Sequence, residues 1–236
     1  MQRLSIRLLV ALITFCFGVV IATVWITLQT PQLDPPQLVL EAPAPDWQWR
    51  CFPGRSQRID QLNRAEGGYF PEEVFFGDPK LSKSVVTVYT NKLKQFNEPT
   101  LLDGGHTGYR FLYLRSFHPA IAVRIWVDGE EKRLSVKAMS RHNNDQLATM
   151  VARPMTPHEW ATFSKLLADS CLWEMPVTSD APIAFDGAWW VFEGAHENHY
   201  HVTHQQSPQS GLYRELCLYL LKLSGLPLDE SKDEIY

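Results

Sequence analysis

Residues 109–139, YRFLYLRSFHPAIAVRIWVDGEEKRLSVKAM, decide the fold. Tyr109 to Phe117 and Ala120 to Val127 are rich in the aromatic and β-branched residues that suit a pleated, half-buried surface. In the second run Ile121, Val123, Ile125 and Val127 alternate with Ala122, Arg124 and Trp126, so a strand sends the two sets to opposite faces. Asp128-Gly129 supplies a tight turn, and Arg133 to Met139 returns as a third strand. Ser140 to Asp145 reads as a polar loop, and Leu147 to Val151 as a fourth strand.

Before this core, Val85, Tyr89, Leu93 and Phe96 recur every three or four residues, which predicts a helix over Ser82 to Asn97, ended by Pro99. Residues 50 to 80 read as loop with a short helical turn near Pro71 to Phe75. After the core, Thr156-Pro157-His158-Glu159 combines an N-cap hydroxyl, a proline at the first helical position and an acid three residues on. Trp160, Phe163 and Leu167 give that helix its buried stripe. Cys171 to Trp173 reads as a short strand. Ala188 to Glu193 and His199 to Thr203 read as a hairpin around Gly194 to Asn198. Ser207-Pro208 opens a last helix with the stripe Leu212, Leu216, Leu220 and Leu223 and a stop at Gly225. The expected class is α+β, one mainly antiparallel sheet with about three helices.

Far upstream, Leu8 to Leu28 holds twenty-one residues without a charge. As a helix this run spans about 30 Å, the thickness of a bilayer's hydrocarbon core. Arg3 and Arg7 precede it and no Lys or Arg follows until Arg50, so the positive-inside rule holds the N-terminus in the cytoplasm and exports the rest. A cleaved signal peptide would have a shorter apolar core and a small-residue cleavage site. The best such triplet, Ala42-Pro43-Ala44, is followed by Pro45, a poor residue for cleavage. The expected organisation is a cytoplasmic N-terminus (1–7), a transmembrane helix (8–28), a proline-rich spacer (29–47), an extracytoplasmic domain (48–228) and a charged, frayed tail (229–236).

Arg3 and Arg7 are the only charges before residue 29, which leaves 20 basic against 26 acidic residues on the exported side, net −6. Nucleic acid and anionic lipid both call for a basic face, so neither is an expected partner beyond the membrane that the helix spans. Of four cysteines, Cys51, Cys171 and Cys217 lie on the exported side, where disulfides persist. Three is odd, so at least one stays free or pairs with another chain. Cys171 and Cys217 sit among apolar residues and read as small core residues.

No catalytic or cofactor-binding residue is assigned from the sequence. Residues 196–204, HENHYHVTH, hold four of the eight histidines but not the H-E-x-x-H of zinc proteases. If Glu193 pairs across from His199, then Glu193, His199 and His201 gather on one side and could hold a transition metal. The competing reading is a solvated hairpin face, and a one-residue register slip dissolves the trio. Asp103 to Gly108 is glycine-rich but lacks the Lys and helix entry of a phosphate-binding loop. Ser140 to Asp145 has no nucleophile elbow beside it. Arg110, Arg115 and Arg124 could grip a carboxylate as a basic stripe, or pair with neighbouring acids.

Several stretches form a pattern: NEPTL at 97–101, YRFLYLRSFHPAIAVRI at 109–125, DGAWWVFEG at 186–194, YHV at 200–202 and LCLYLLKLSGL at 216–226. With Glu159-Trp160 and Ser207-Pro208, the stretch from about Tyr89 to Gly225 resembles a bacterial family of membrane-anchored or exported proteins of unassigned function. The resemblance implies an envelope protein with an α+β domain and carries over no catalytic residues. In that pattern one histidine, corresponding to His201, follows the tyrosine. The functional expectation is an interaction or ligand-binding domain at the outer face of the inner membrane. The alternatives are a metal-assisted hydrolase built on Glu193, His199 and His201, and a structural part of an envelope assembly.

Overall fold

The computed structural model describes residues 55–140, 146–178, 186–228 and 235–236. Seven strands form one antiparallel sheet: β1 (Gln57–Arg58), β2 (Thr107–Arg115), β3 (Ile121–Asp128), β4 (Glu131–Met139), β5 (Leu147–Pro154), β6 (Ala188–His196) and β7 (His199–Gln206). Their spatial order is β1-β7-β6-β2-β3-β4-β5. Strands β2 to β5 form a meander, and the β6–β7 hairpin docks against its free side, so β2 lies at the centre. Among the described residues three α-helices pack on this sheet in an α+β fold: α1 (Pro79–Gln95), α2 (Pro157–Asp169) and α3 (Leu212–Ser224).

Both faces of the sheet are covered. On one, Tyr109, Phe111, Tyr113, Val123, Ile125, Trp190 and Phe192 meet Phe163 and Leu167 of α2 and Tyr213, Leu216, Cys217 and Leu220 of α3. On the other, Leu112, Ala122, Val191, Tyr200 and Val202 meet Val86, Tyr89 and Leu93 of α1, with Phe70, Phe75, Phe96 and Leu101 around them. Each such side chain contributes about 1.5–3 kcal/mol when fully buried.

Local chemistry explains the element ends. Asp78 caps α1 by accepting from the backbone of Lys80 and Leu81, which starts the helix at Pro79, six residues before the apolar periodicity begins at Val85. Thr156 and Glu159 form the expected capping box of α2, and the Arg153 guanidinium beside Glu159 holds its carboxyl down to about 2. Gly129 takes φ 57° at the first position of the two-residue β3–β4 turn, as a primed hairpin turn requires. Gly225 ends α3 in the left-handed region.

Several expectations are corrected. The helical turn of the first segment lies at Ile59–Gln61, a 3-10 turn, not at Pro71 to Phe75, where Pro71 instead bridges Arg64. Leu172–Glu174 is a 3-10 turn where a strand was expected, because Cys171 adopts a left-handed conformation (φ 47°) that breaks extension. Cys171 is disulfide-bonded rather than a plain core residue, while Cys217 is free and buried. Helix α3 starts at Leu212, after Ser207-Pro208 has ended β7. Its buried stripe is Tyr213, Leu216, Cys217, Leu220 and Leu221, and Leu212 is exposed.

The tail is not frayed at Tyr236, whose carbonyl accepts from Trp190 Nε1 at 2.9 Å and whose amide donates to the Tyr113 hydroxyl at 3.0 Å. Among the described residues no helix is long and apolar enough to cross a membrane. The run Leu8 to Leu28, the spacer and the loop core 141–145 lie outside them.

Candidate binding groove and the charge cluster beneath it

Pairing across the centre of the sheet brings charged residues into one row. Arg110 of β2 stands opposite Glu193 of β6 on one side and Arg124 of β3 on the other. Arg110 and Glu193 are fully buried, and two guanidinium nitrogens of Arg110 lie 2.7 and 2.6 Å from one Glu193 oxygen. The Tyr200 hydroxyl donates to the other oxygen at 2.9 Å. Burial pushes the Glu193 carboxyl up against the pull of Arg110. Burial, reinforced by Glu193, also pushes the Tyr200 phenol far up, so it stays a donor.

Two arginines directly opposite on neighbouring strands repel each other. Glu98 resolves this. Its Oε2 accepts from Arg124 Nε at 2.8 Å and lies 3.8 Å from Arg110, while its Oε1 is 2.8 Å from the Lys137 ammonium. Asn97, at φ 50°, ends the chain's run out of α1 in the left-handed region and turns Glu98 onto the sheet. The backbone of the same segment adds acceptors: Pro99 O takes Arg110 Nη1 at 2.6 Å, and Asn97 O takes Lys137 Nζ at 2.8 Å. Glu98 O accepts in turn from the Tyr69 hydroxyl at 2.6 Å. The cluster therefore holds three bases and two acids.

Arg124 is the member that reaches the surface. Its guanidinium lies 4.5 Å from the Trp126 ring, and Arg133 approaches the same ring at 5.8 Å. Arg124 and Trp126 form the floor of a groove of about 820 Å³ at this end of the sheet, walled by the 99–108 loop and the β6–β7 turn. The glycine-rich stretch Asp103 to Gly108 thus serves as a wall of the groove. Asp103, Asp128 and Glu197 line it as well.

The proposed trio is not brought together. Val202, not His199, stands opposite Glu193, because the β6–β7 turn is only Glu197-Asn198 rather than Gly194 to Asn198. That displacement is three residues, an odd number, so it moves Glu193 to the α1 side while His199 and His201 keep to the α2–α3 side. His201 lies beside Trp173, with ring centroids 6.5 Å apart. Among the described residues no group of three or more His, Cys, Asp or Glu is placed to hold a metal ion.

The arginine stripe divides as well. Arg110 and Arg124 grip the chain's own Glu98 and Glu193. Arg115, on the other face, donates to Pro119 O at 2.6 Å and lies over the Tyr113 ring. The sequence signal for Glu98 is Asn-Glu-Pro just past the end of a helix.

A second buried polar site surrounds His204. Its Nε2 is 2.9 Å from the Tyr89 hydroxyl, and its ring stacks on Trp189 at 4.4 Å with Phe75 and Phe76 at its edges. Burial lowers both His204 and His201 to about 4, so both are neutral at pH 7.

No protein-family model matches the chain, and no curated protein matches it.

Two outcomes follow from this geometry. Glu98→Gln leaves Arg110 and Arg124 facing each other without their shared acid. It is expected to lower unfolding free energy by about 3–5 kcal/mol in urea titration, and a loss near zero would show that the cluster is solvated. The histidines set a pH dependence. An unfolded imidazole titrates near 6.5 but the folded ones near 4, so the unfolded chain alone takes up protons between those values. Stability is whole above pH 6.5 and falls toward pH 4, by up to roughly 3 kcal/mol for each histidine. His204→Phe should flatten that decline relative to wild type, and an unchanged slope would remove His204 from the account.

Proposed function

We propose that the chain is a membrane-held binding module. In this reading Leu8 to Leu28 stays in a bacterial inner membrane with the N-terminus in the cytoplasm, and the α+β domain stands on the periplasmic side. The groove over Arg124 and Trp126 then takes its ligand. The observation that carries the reading is that floor: the Trp126 ring beside the Arg124 guanidinium, 4.5 Å from its centroid, both lining one groove. Such a floor fits a flat group stacked on Trp126, with an acceptor toward Arg124 and donors toward Asp103, Asp128 and Glu197, which line the same groove.

The disulfide of Cys171 supports an oxidising compartment. The uncharged run with arginines only before it supports the orientation. The metal-assisted hydrolase reading needed Glu193, His199 and His201 around one water, and the sheet stands between the carboxylate and the imidazoles.

Location is tested by carbonate washing of membranes and by protease added to spheroplasts. The chain should resist extraction and be cut from outside; release by carbonate, or protection from protease, overturns the anchor. The groove is tested by thermal shifts of the purified protein in fractionated small-molecule envelope extracts, since a ligand that binds only the folded state raises its melting temperature. A shift lost in Trp126→Ala is expected. An equal shift in both proteins, or no shift in any fraction, rejects the groove.

A further inference from the structure

The groove over Trp126 carries hydrogen-bonding groups of both kinds beyond those the protein itself uses. On the donor side, Arg124 gives its Nε to Glu98 at 2.8 Å, and among the described residues no acceptor is bonded to its two terminal nitrogens. Asn198 takes the Asp60 amide on its Oδ1 at 3.3 Å, which leaves its side-chain N–H pair to donate. On the acceptor side, Asp128 has no partner among the described residues. The Glu197 side chain is 77% exposed, and that of Asp103, which meets Arg64 at 3.4 Å, is 66% exposed.

Charge then sorts the ligands. Three carboxylates and one guanidinium line the groove, and that guanidinium already has Glu98, so an anion is repelled. A cation would share the Trp126 ring with Arg124 at 4.5 Å and Arg133 at 5.8 Å, two charges of its own sign. What fits is a neutral group with many donors and a flat apolar face. A hydroxyl both donates and accepts, so it bridges a carboxylate and an N–H of Arg124 or Asn198 at once. A planar heterocycle has donors at few points of its edge, whereas a pyranose ring carries hydroxyls around its rim and C–H groups on its faces.

We propose that the groove is a saccharide site, which takes a neutral pyranoside with its C–H face on Trp126 and its hydroxyls between the carboxylates and the Arg124 and Asn198 donors. This assignment rests on the reading of the groove as the ligand site of the chain. At about 820 Å³ the groove lies in the upper part of the range of small-molecule sites, with room for a short oligomer.

The test is titration calorimetry and thermal shift of the full chain, in a detergent without a sugar headgroup. The neutral probes are triacetylchitotriose, cellotriose and maltotriose; adenosine, sialyllactose and trilysine serve as flat, anionic and cationic comparisons. At least one neutral trisaccharide is expected to bind and to raise the melting temperature. Trp126→Ala should abolish that binding. Asp128→Asn, at an exposed position with no partner to lose, should weaken it about tenfold while the melting temperature without ligand stays at the wild-type value. A comparison probe that binds where no trisaccharide does would overturn the saccharide and keep the groove. A trisaccharide bound equally by wild type and both variants would overturn the saccharide assignment as well. Silence from every probe overturns the saccharide, and the groove falls with it only when the envelope fractions also give no shift.

Discussion

Arg110 and Arg124 face each other across β2 and β3, and the α1 side of the sheet is arranged around keeping that confrontation tolerable. Two guanidiniums taken from water at strand spacing repel, and the interior offers little screening. The answer comes from three separate parts of the chain. Glu193 on β6 neutralises Arg110 from one flank, and Glu98, delivered from the end of α1, sits between the two arginines and reaches Lys137 as well. Backbone oxygens of Asn97 and Pro99 supply what the carboxylates leave unfilled. The position of α1 over the sheet is thus tied to charge as much as to apolar area, since sliding the helix would pull Glu98 away from its partners.

The same arrangement links core to groove. Arg124 is paired below with Glu98 and lies against Trp126 above. The ring that floors the groove is therefore positioned by a guanidinium whose own place is set by a buried carboxylate. Rigidity of this kind is what a recognition surface needs, because a floor that does not rearrange loses less entropy when a ligand arrives.

Much of the fold was legible in the sequence because it rests on local rules. The alternation in β3, the Asp-Gly turn, the capping box at Thr156 and the stop at Gly225 each depend on a few neighbouring residues, and each stands as read. Where the structure departs from the sequence pattern, tertiary packing is the cause. The β6–β7 turn was placed at a glycine, but Gly194 lies within β6, where an added Cβ would come within 3.3 Å of Trp173 and 3.4 Å of Leu172 and Tyr109. Its lack of a side chain serves close packing, which only the tertiary structure reveals. The polar Glu197-Asn198 makes the turn instead, and the register moved by an odd number. For the site, Arg110 and Arg124 were visible as carboxylate grips, while the identity of the carboxylates was not. Glu98 and Glu193 are distant in sequence, and nothing along the chain couples them.

The central strand hands alternate side chains to two separate interiors: Phe111 and Tyr113 to one, Leu112 to the other. Backbone alone passes between them, so the sheet acts as a partition. A change of shape in one interior reaches the other only by bending a strand that is hydrogen-bonded on both sides. The two halves can therefore drift in composition independently, one richer in rings and the other holding charge, while the wall they share keeps its course.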